Sequence, residues 1–309
     1  MASICILDEF EVHKNEKFLA IAEQLKPELY KKEIRPVSLL TLETKGHPEP
    51  VIVDSEPIEE LSKKQLKRSE SVILDFGNHH VGYVTLDLAS AGSHQDAPAY
   101  IFLKFAERLD ELAADSNQYD GWLSRSWIQE ERIHVDVLPA KLELPRRYAF
   151  RYLEIKVIDV SPKYSLVINN VTGTSVSAVE KEEIQPVSAK EPILQEIDKV
   201  SIRTLRNCMQ LVFEDGPKRD RRMWLGDLRL QARANYKTFH NTDLVKRCLY
   251  LFGGLTFNEG KVPACLFLEP ELEPDDTYLF DYALLYGSVL LDYYEETKDR
   301  ETLEDLYPV

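Results

Sequence analysis

Short apolar or alternating runs recur along the first half of the chain, separated by turn signals. They are SVILDF (71–76), VGYVTLDL (81–88), AYIFLKFAE (99–107), RIHVDVL (132–138) and YLEIKVIDV (152–160). A period of two in runs of this length predicts half-buried strands, and several such strands in succession predict an antiparallel β-sandwich. Gly77-Asn78 and Gly92-Ser93, with Pro98, Pro139, Pro145 and Pro162, supply the turn chemistry between them. Before residue 70 the pattern is less regular. EKFLAIAEQLKPELYKKE has a helical period as far as Pro27, and the charged stretch 56–70 reads as a linker or an exposed helix.

Past about residue 186 the period lengthens. Ser188 precedes an apolar series, Ile193, Leu194, Ile197, Val200, Ile202 and Leu205, at near-helical spacing. Further helices are expected over 226–240, 242–257 and 277–297, so four or five helices follow the strands. The expected organisation is a β-sandwich domain with an N-terminal extension over 1–185 and a helical domain over 186–309.

Composition narrows the function classes. The chain of 309 residues is 44% hydrophobic and 29% charged, enough to bury one or two cores. Its 53 acidic and 38 basic residues leave a formal charge of -15, which argues against nucleic acid and anionic membrane surfaces as partners. The sequence carries no apolar run long enough to cross a bilayer, and Asp8, Glu9 and Glu11 fall where a secretion signal needs apolar residues. A cytoplasmic protein is the expectation. Cys5, Cys208, Cys248 and Cys265 have neither zinc-site spacing nor disulfide density and read as buried thiols. His79-His80, His94 and His134 lack the i, i+4 pairing of a helical metal site, Gly253-Gly254 lacks a phosphate-loop context, and no GxSxG elbow occurs. The reading therefore calls for no cofactor and no metal.

The most unusual segment is 214–227, EDGPKRDRRMWLGD, in which Asp215, Asp220 and Asp227 alternate with Arg219, Arg221, Arg222 and Trp224. Such charge density demands exposure or dense pairing. Gly216-Pro217 would stop a helix entering from Leu211, and Gly226-Asp227 reads as a helix start with Asp227 as N-cap or first-turn anion. Carboxylates accept hydrogen bonds from vicinal hydroxyls, an indole offers a face to a sugar ring, and a carboxylic acid of raised pKa can protonate a glycosidic oxygen. The same residues also describe a helix N-terminus laced with Arg–Asp pairs beside a packed tryptophan, and composition alone does not separate the two.

The run from Asp215 to Asp227, DGPKRDRRMWLGD, resembles the acidic signature of the α-L-rhamnosidase family of glycoside hydrolases, where a DCPxRE-type segment leads into a W(T/L)GD helix start. ILDFGNHHVGYVTLDL (73–88), AER (106–108) and PRRYAFRYLEIKV (145–157) resemble the β-sandwich preceding that family's catalytic domain. Residues 299–308 resemble a region of its helical domain. The resemblance implies an inverting hydrolase of terminal α-L-rhamnosides, acting on a rhamnose-containing carbohydrate, with a catalytic toroid of six helical hairpins. It places Asp220 at the general-acid position and gives Asp215, Arg219, Trp224 and Asp227 to the terminal sugar. Asp281, in LFDYA, is similar to the aspartate of the family's W(S/G)DA segment, whose tryptophan is here Phe280 or absent.

Two departures accompany the match. The acid position holds Asp220 where Glu is usual, one methylene shorter, and no acidic motif matches the base that activates water. The helices counted are too few to close a toroid. Tyr282, Leu285, Tyr286, Val289, Leu290 and Tyr293 are accordingly expected on an open apolar face, predicting self-association or a complementing chain. An alternative without catalysis is a carbohydrate-binding or interaction module built on Tyr119, Trp122 and Trp127 of the first domain.

Overall fold

The computed structural model describes residues 5–6, 11–43, 50–180, 184 and 187–309. Seven α-helices are described: α1 (Glu16–Gln24), α2 (Leu109–Ala113), α3 (Pro192–Cys208), α4 (Leu225–Lys237), α5 (Thr242–Gly254), α6 (Phe280–Thr297) and α7 (Arg300–Leu306). Nine strands form the largest sheet: β1 (Tyr30–Ile34), β2 (Ser38–Glu43), β3 (Val51–Pro57), β4 (Ser71–Gly92), β5 (Ala99–Ala106), β6 (Glu130–Val135), β7 (Ala140–Glu143), β8 (Tyr148–Asp159) and β9 (Tyr164–Ser177). The chain is thus mixed α/β with a sheet-rich N-terminal portion. It divides into two compact units, residues 31–176 and residues 1–30 with 177–309.

The sheet unit is organised by β4, a single strand of 22 residues where the sequence predicts two. Its first part, 71–75, pairs with β8, and residues 73–75 also pair with β2 on the other side. Its last part, 82–92, pairs with β9, and residues 85–88 also pair with β7. The expected turn at Gly77-Asn78 is instead a local break in register within the strand. Phe150 faces His80 and Tyr152 faces Asp75, so four residues of β4 lie opposite one of β8. Gly77 takes φ +76° there, and its N–H donates to the Asp75 carboxylate at 2.7 Å, a conformation glycine adopts at least cost. One core lies between the strand groups that β4 links, with Leu74, Leu86, Ile101, Leu103, Leu153 and Leu166 all fully buried. The stretch 56–70, expected as a linker or exposed helix, ends β3 and then forms a 3-10 helix, Ile58–Lys63, and Leu61 and Leu66 are buried in the same core.

The helical unit includes the N-terminal segment that the sequence reading grouped with the strands. Asn15 caps α1 by accepting from the Phe18 N–H at 3.2 Å, and Phe18 and Ala22 turn into the helical core. Buried Arg247 of α5 holds α1 in place by donating to the Ala22 carbonyl, and donates also to the Leu211 carbonyl at 2.9 Å. Helix α3 opens at Pro192 behind Glu191 rather than at Ser188. Of its apolar series only Ile202 and Leu205 are buried, while Ile193, Leu194, Ile197 and Val200 are exposed.

The apolar face expected to lie open on α6 is closed. Tyr286, Val289, Leu290 and Tyr293 are buried in the helical core, which also holds Leu228 and Ala232 of α4 and Leu249 of α5. Tyr282 and Leu285 are half-buried. The exposed stripe of α6 is Phe280, Leu284 and Leu291. Cys208, Cys248 and Cys265 are buried, while the Cys5 side chain lies outside the described residues.

Candidate active site

The loop between α3 and α4 is closed by one residue pair. The Asp215 N–H donates to the Arg222 carbonyl at 3.0 Å, and the Arg222 N–H donates to Asp215 Oδ1 at 3.1 Å. Inside that clasp the Arg221 N–H donates to the carbonyls of Gly216 and Arg219, and Arg221 Nε donates to Pro217 O at 2.9 Å. Asp220 and Arg221 both adopt the left-handed backbone region, with φ +63° and +56°. Two successive non-glycine residues there carry a cost of ~1–2 kcal/mol each. The hydrogen bonds across the loop hold the carboxylate of Asp220 on this bend.

Beyond the clasp the chain is tied on both sides. Met223 and Trp224 pair with Leu266 and Cys265, and the Leu225 N–H donates to Ala264 O at 3.0 Å as α4 begins. Trp224 is the N-cap residue, and Asp227 is an acidic residue of the first turn, complementing the helix dipole. Gln231, one turn further on, donates to Glu214 O at 2.7 Å and ties the loop to α4.

Within this segment the structure brings together five of the six expected site residues. Arg219 Nη2 lies 3.5 Å from Asp220 Oδ2, with the arginine side chain largely exposed and the aspartate mostly buried. Burial pushes the Asp215 carboxyl up to about 6, backbone N–H groups of Arg222 and Gly216 oppose the shift, and the charges of Asp220 and Asp227 add to it. Burial also raises Asp227. Three carboxylates therefore share one electrostatic neighbourhood. Asp281, the sixth, is an exposed residue in the first turn of α6, and its link to the others runs through Tyr282, whose phenol is raised by burial and then by the charges of Asp227 and Asp281.

Sequence reasoning assigned none of Tyr282, Phe267 and Asp275 to the site, and these residues frame the segment. Tyr282 sets its ring edge-on to the Trp224 indole, with centroids 6.3 Å apart at 90°. Arg222 lies over the Phe267 ring at 4.0 Å and reaches toward the Asp275 carboxylate at 4.0 Å. Only the unbroken LFDYA run hinted at Tyr282, and Phe267 and Asp275 are distant in sequence. In the sheet unit, Trp122 is 92% exposed, Tyr119 is exposed and Trp127 is half-buried. His79 pairs with Glu107 at 2.8 Å and His134 stacks on Tyr100, and no metal-ligand cluster occurs among the described residues.

Chemically, the segment offers hydroxyl-accepting carboxylates, one of which holds its proton toward neutral pH, and an aromatic corner, the combination needed to grip and protonate a glycoside. Comparison with known proteins gives the same direction. Residues 48–175 match the glycosyl hydrolase family 78 alpha-rhamnosidase N-terminal domain, and residues 182–309 match the bacterial alpha-L-rhamnosidase 6 hairpin glycosidase domain. No curated protein matches. Among solved structures, a rhamnosidase from Klebsiella oxytoca with rhamnose bound is 42% identical, covers 96% of this chain and superposes with a TM-score of 0.92. The present chain spans 58% of that protein's length. A GH78 family rhamnosidase of Bacillus sp. GL1 is similar in fold, at 20% identity and TM-score 0.60, over 77% of this chain and 23% of its own. An α-L-rhamnosidase from Dictyoglumus thermophilum is similar at 17% identity and TM-score 0.59, over 91% and 28%. The two adjoining domain matches and the extent of identity to the Klebsiella protein together show that this chain belongs to the α-L-rhamnosidase family of glycoside hydrolases.

Proposed function

We propose that the chain forms the β-sandwich and the first helices of the (α/α)6 toroid of a cytoplasmic, inverting α-L-rhamnosidase that removes terminal rhamnose from a rhamnose-containing carbohydrate. The observation that carries this reading is the gathering of Asp215, Asp220, Asp227 and Trp224 on one clasped loop and helix start, in a chain 42% identical to a rhamnosidase solved with rhamnose bound. Asp220 is the general acid, protonating the glycosidic oxygen. Asp215, Arg219, Trp224, Asp227 and Asp281 hold the sugar, Trp224 against its apolar side and the carboxylates against its hydroxyls. The water-activating base of an inverting mechanism stands ~6.5–9.5 Å from the acid and comes from outside these residues. Self-association, or pairing with a complementing chain, falls to the exposed stripes of α3 and of Phe280, Leu284 and Leu291.

A second reading is favoured by one observation. Burial pushes the Asp215 carboxyl up to about 6, so this group is poised to hold a proton near neutrality. Hydrolysis of an aryl α-L-rhamnoside separates the two. Asp220→Asn lowering turnover roughly a hundredfold or more, with Asp215→Asn affecting mainly KM, supports Asp220 as acid. The reverse pattern assigns the proton to Asp215, and full activity in both variants rejects the site.

A further inference from the structure

The sheet unit carries a polar cavity of its own, unrelated to the loop after α3. Strand β5, which lies between β8 and β6, turns Ile101, Leu103 and Phe105 into the core, so Phe102 and Lys104 point to the opposite face. The register sets Glu154, Lys104 and Glu130 in one cross-strand row, and Lys156, Phe102 and Arg132 in the next. In the first row Lys104 and Glu130 satisfy each other, and Glu154 stands apart from that pair. Lys104 Nζ lies 3.4 Å from Glu130 Oε1, donates to the Ala114 carbonyl, and is buried together with Glu130 beneath the segment that follows α2. The Ser116 hydroxyl donates to Glu130 Oε2 at 2.7 Å.

The second row holds no such ion pair. Arg132 lies over the Phe102 ring at 4.8 Å and has no other partner, and Lys156 and Glu154 have no side-chain hydrogen bond or ion pair, among the described residues. All six residues line a cavity of about 460 Å³ whose other wall includes Leu112, Asp115 and Asn117. That volume lies within the range of small-ligand sites. Two unneutralised cations about 10 Å apart, two strand spacings, thus flank an aromatic ring in a chain whose net charge is -15.

We infer that this cavity binds a carboxylate-bearing sugar, a uronate unit of an acidic saccharide. The guanidinium of Arg132, placed over Phe102, keeps its donor fork for a carboxylate, and Lys156 adds a point charge on the far side of the ring. Glu154 and Asp115 accept from sugar hydroxyls and repel a second negative charge, which disfavours a dianion such as phosphate. Leu112 and Phe102 meet the apolar side of the ring. The inference stands apart from the hydrolase reading, because none of these residues belongs to the 215–227 segment.

Calorimetric titration of the full chain with digalacturonate, the corresponding neutral galactose disaccharide, and inorganic phosphate tests it. The expected result is binding of digalacturonate that weakens with added salt, falls about tenfold or more in Arg132→Gln and by less in Lys156→Gln at unchanged Tm, and survives intact in Asp220→Asn. No digalacturonate binding, equal binding of the neutral disaccharide or phosphate, or indifference to both substitutions overturns it.

Discussion

The ring of Tyr282 fills the space that a side chain at position 226 would need: a Cβ built on Gly226 would lie 2.4 Å from Tyr282 Cζ and 2.7 Å from its hydroxyl. Tyr282 comes from the first turn of α6 and Gly226 from the first turn of α4, so this contact fixes how the two helix starts meet beside Trp224 and Asp227. Helix propensity alone would make Gly226→Ala favourable by ~1 kcal/mol. The clash reverses the sign, and Gly226→Ala is expected to destabilise by ~1–3 kcal/mol and to alter the near-ultraviolet circular dichroism of the indole. In a Tyr282→Ala background the same change becomes neutral or stabilising. Denaturant melts of the four proteins of this cycle read the coupling directly.

Asp215 makes stability depend on pH. Its folded pKa is raised to about 6 by burial and by the charges of Asp220 and Asp227, above the ordinary value of 3.8. The folded state therefore binds the proton more tightly, and this group's contribution is fully present below about pH 4 and lost as pH rises through about 6. Asn at 215 keeps the oxygen that accepts from the Arg222 N–H while removing the charge. Asp215→Asn should raise Tm at pH 7 to 8 and leave it unchanged near pH 4, as a pair of thermal scans would show.

Asp299 gathers four donors from three residues at the start of α7. It accepts from the Thr302 N–H at 3.1 Å and hydroxyl at 2.7 Å, from Lys246 at 2.9 Å and from the Tyr293 hydroxyl at 3.1 Å. Burial pushes its pKa up, but these donors outweigh burial and hold the carboxyl well below the usual range. The stability it contributes is present above its ordinary pKa and is lost as pH falls below it. Asp299→Ala should cost ~1–3 kcal/mol at pH 7 in denaturant melts, most of it as a cap and a partner to Lys246.

Arg247 is the buried link between α1 and α5. Burial lowers its pKa, and its guanidinium satisfies the carbonyls of Ala22 and Leu211. Arg247→Met keeps the length but orphans both oxygens, so a loss of ~2–4 kcal/mol is expected, with amide exchange across residues 16–24 speeding up before that of α5.

The sequence made the site segment legible because its residues are contiguous: a clasp of Asp215 and Arg222, a bend at Asp220 and a helix start at Trp224 all lie within thirteen positions. The strands around 99–106 and 148–159 were readable because apolar residues alternate there. Strand β9, Tyr164–Ser177, escaped notice because Ser, Thr and Asn fill its polar positions and mimic loop composition. Gly77 suggested a turn, yet a single positive φ lets β4 continue through an irregular register. The placement of α1 with the helices, and of Tyr282 across Gly226, rests on contacts between residues far apart in sequence, which no local pattern encodes. The closed face of α6 has the same origin: its aromatic residues read as exposed until α4 and α5 are set against them.

The proposed hold of Trp224 and Asp227 on a terminal rhamnose is tested most directly by calorimetric titration of L-rhamnose into the wild-type chain, Trp224→Ala and Asp227→Asn, with folding checked by Tm. Measurable binding to the wild-type chain and a loss of about tenfold or more in each variant are expected. Undiminished affinity in both variants would contradict it.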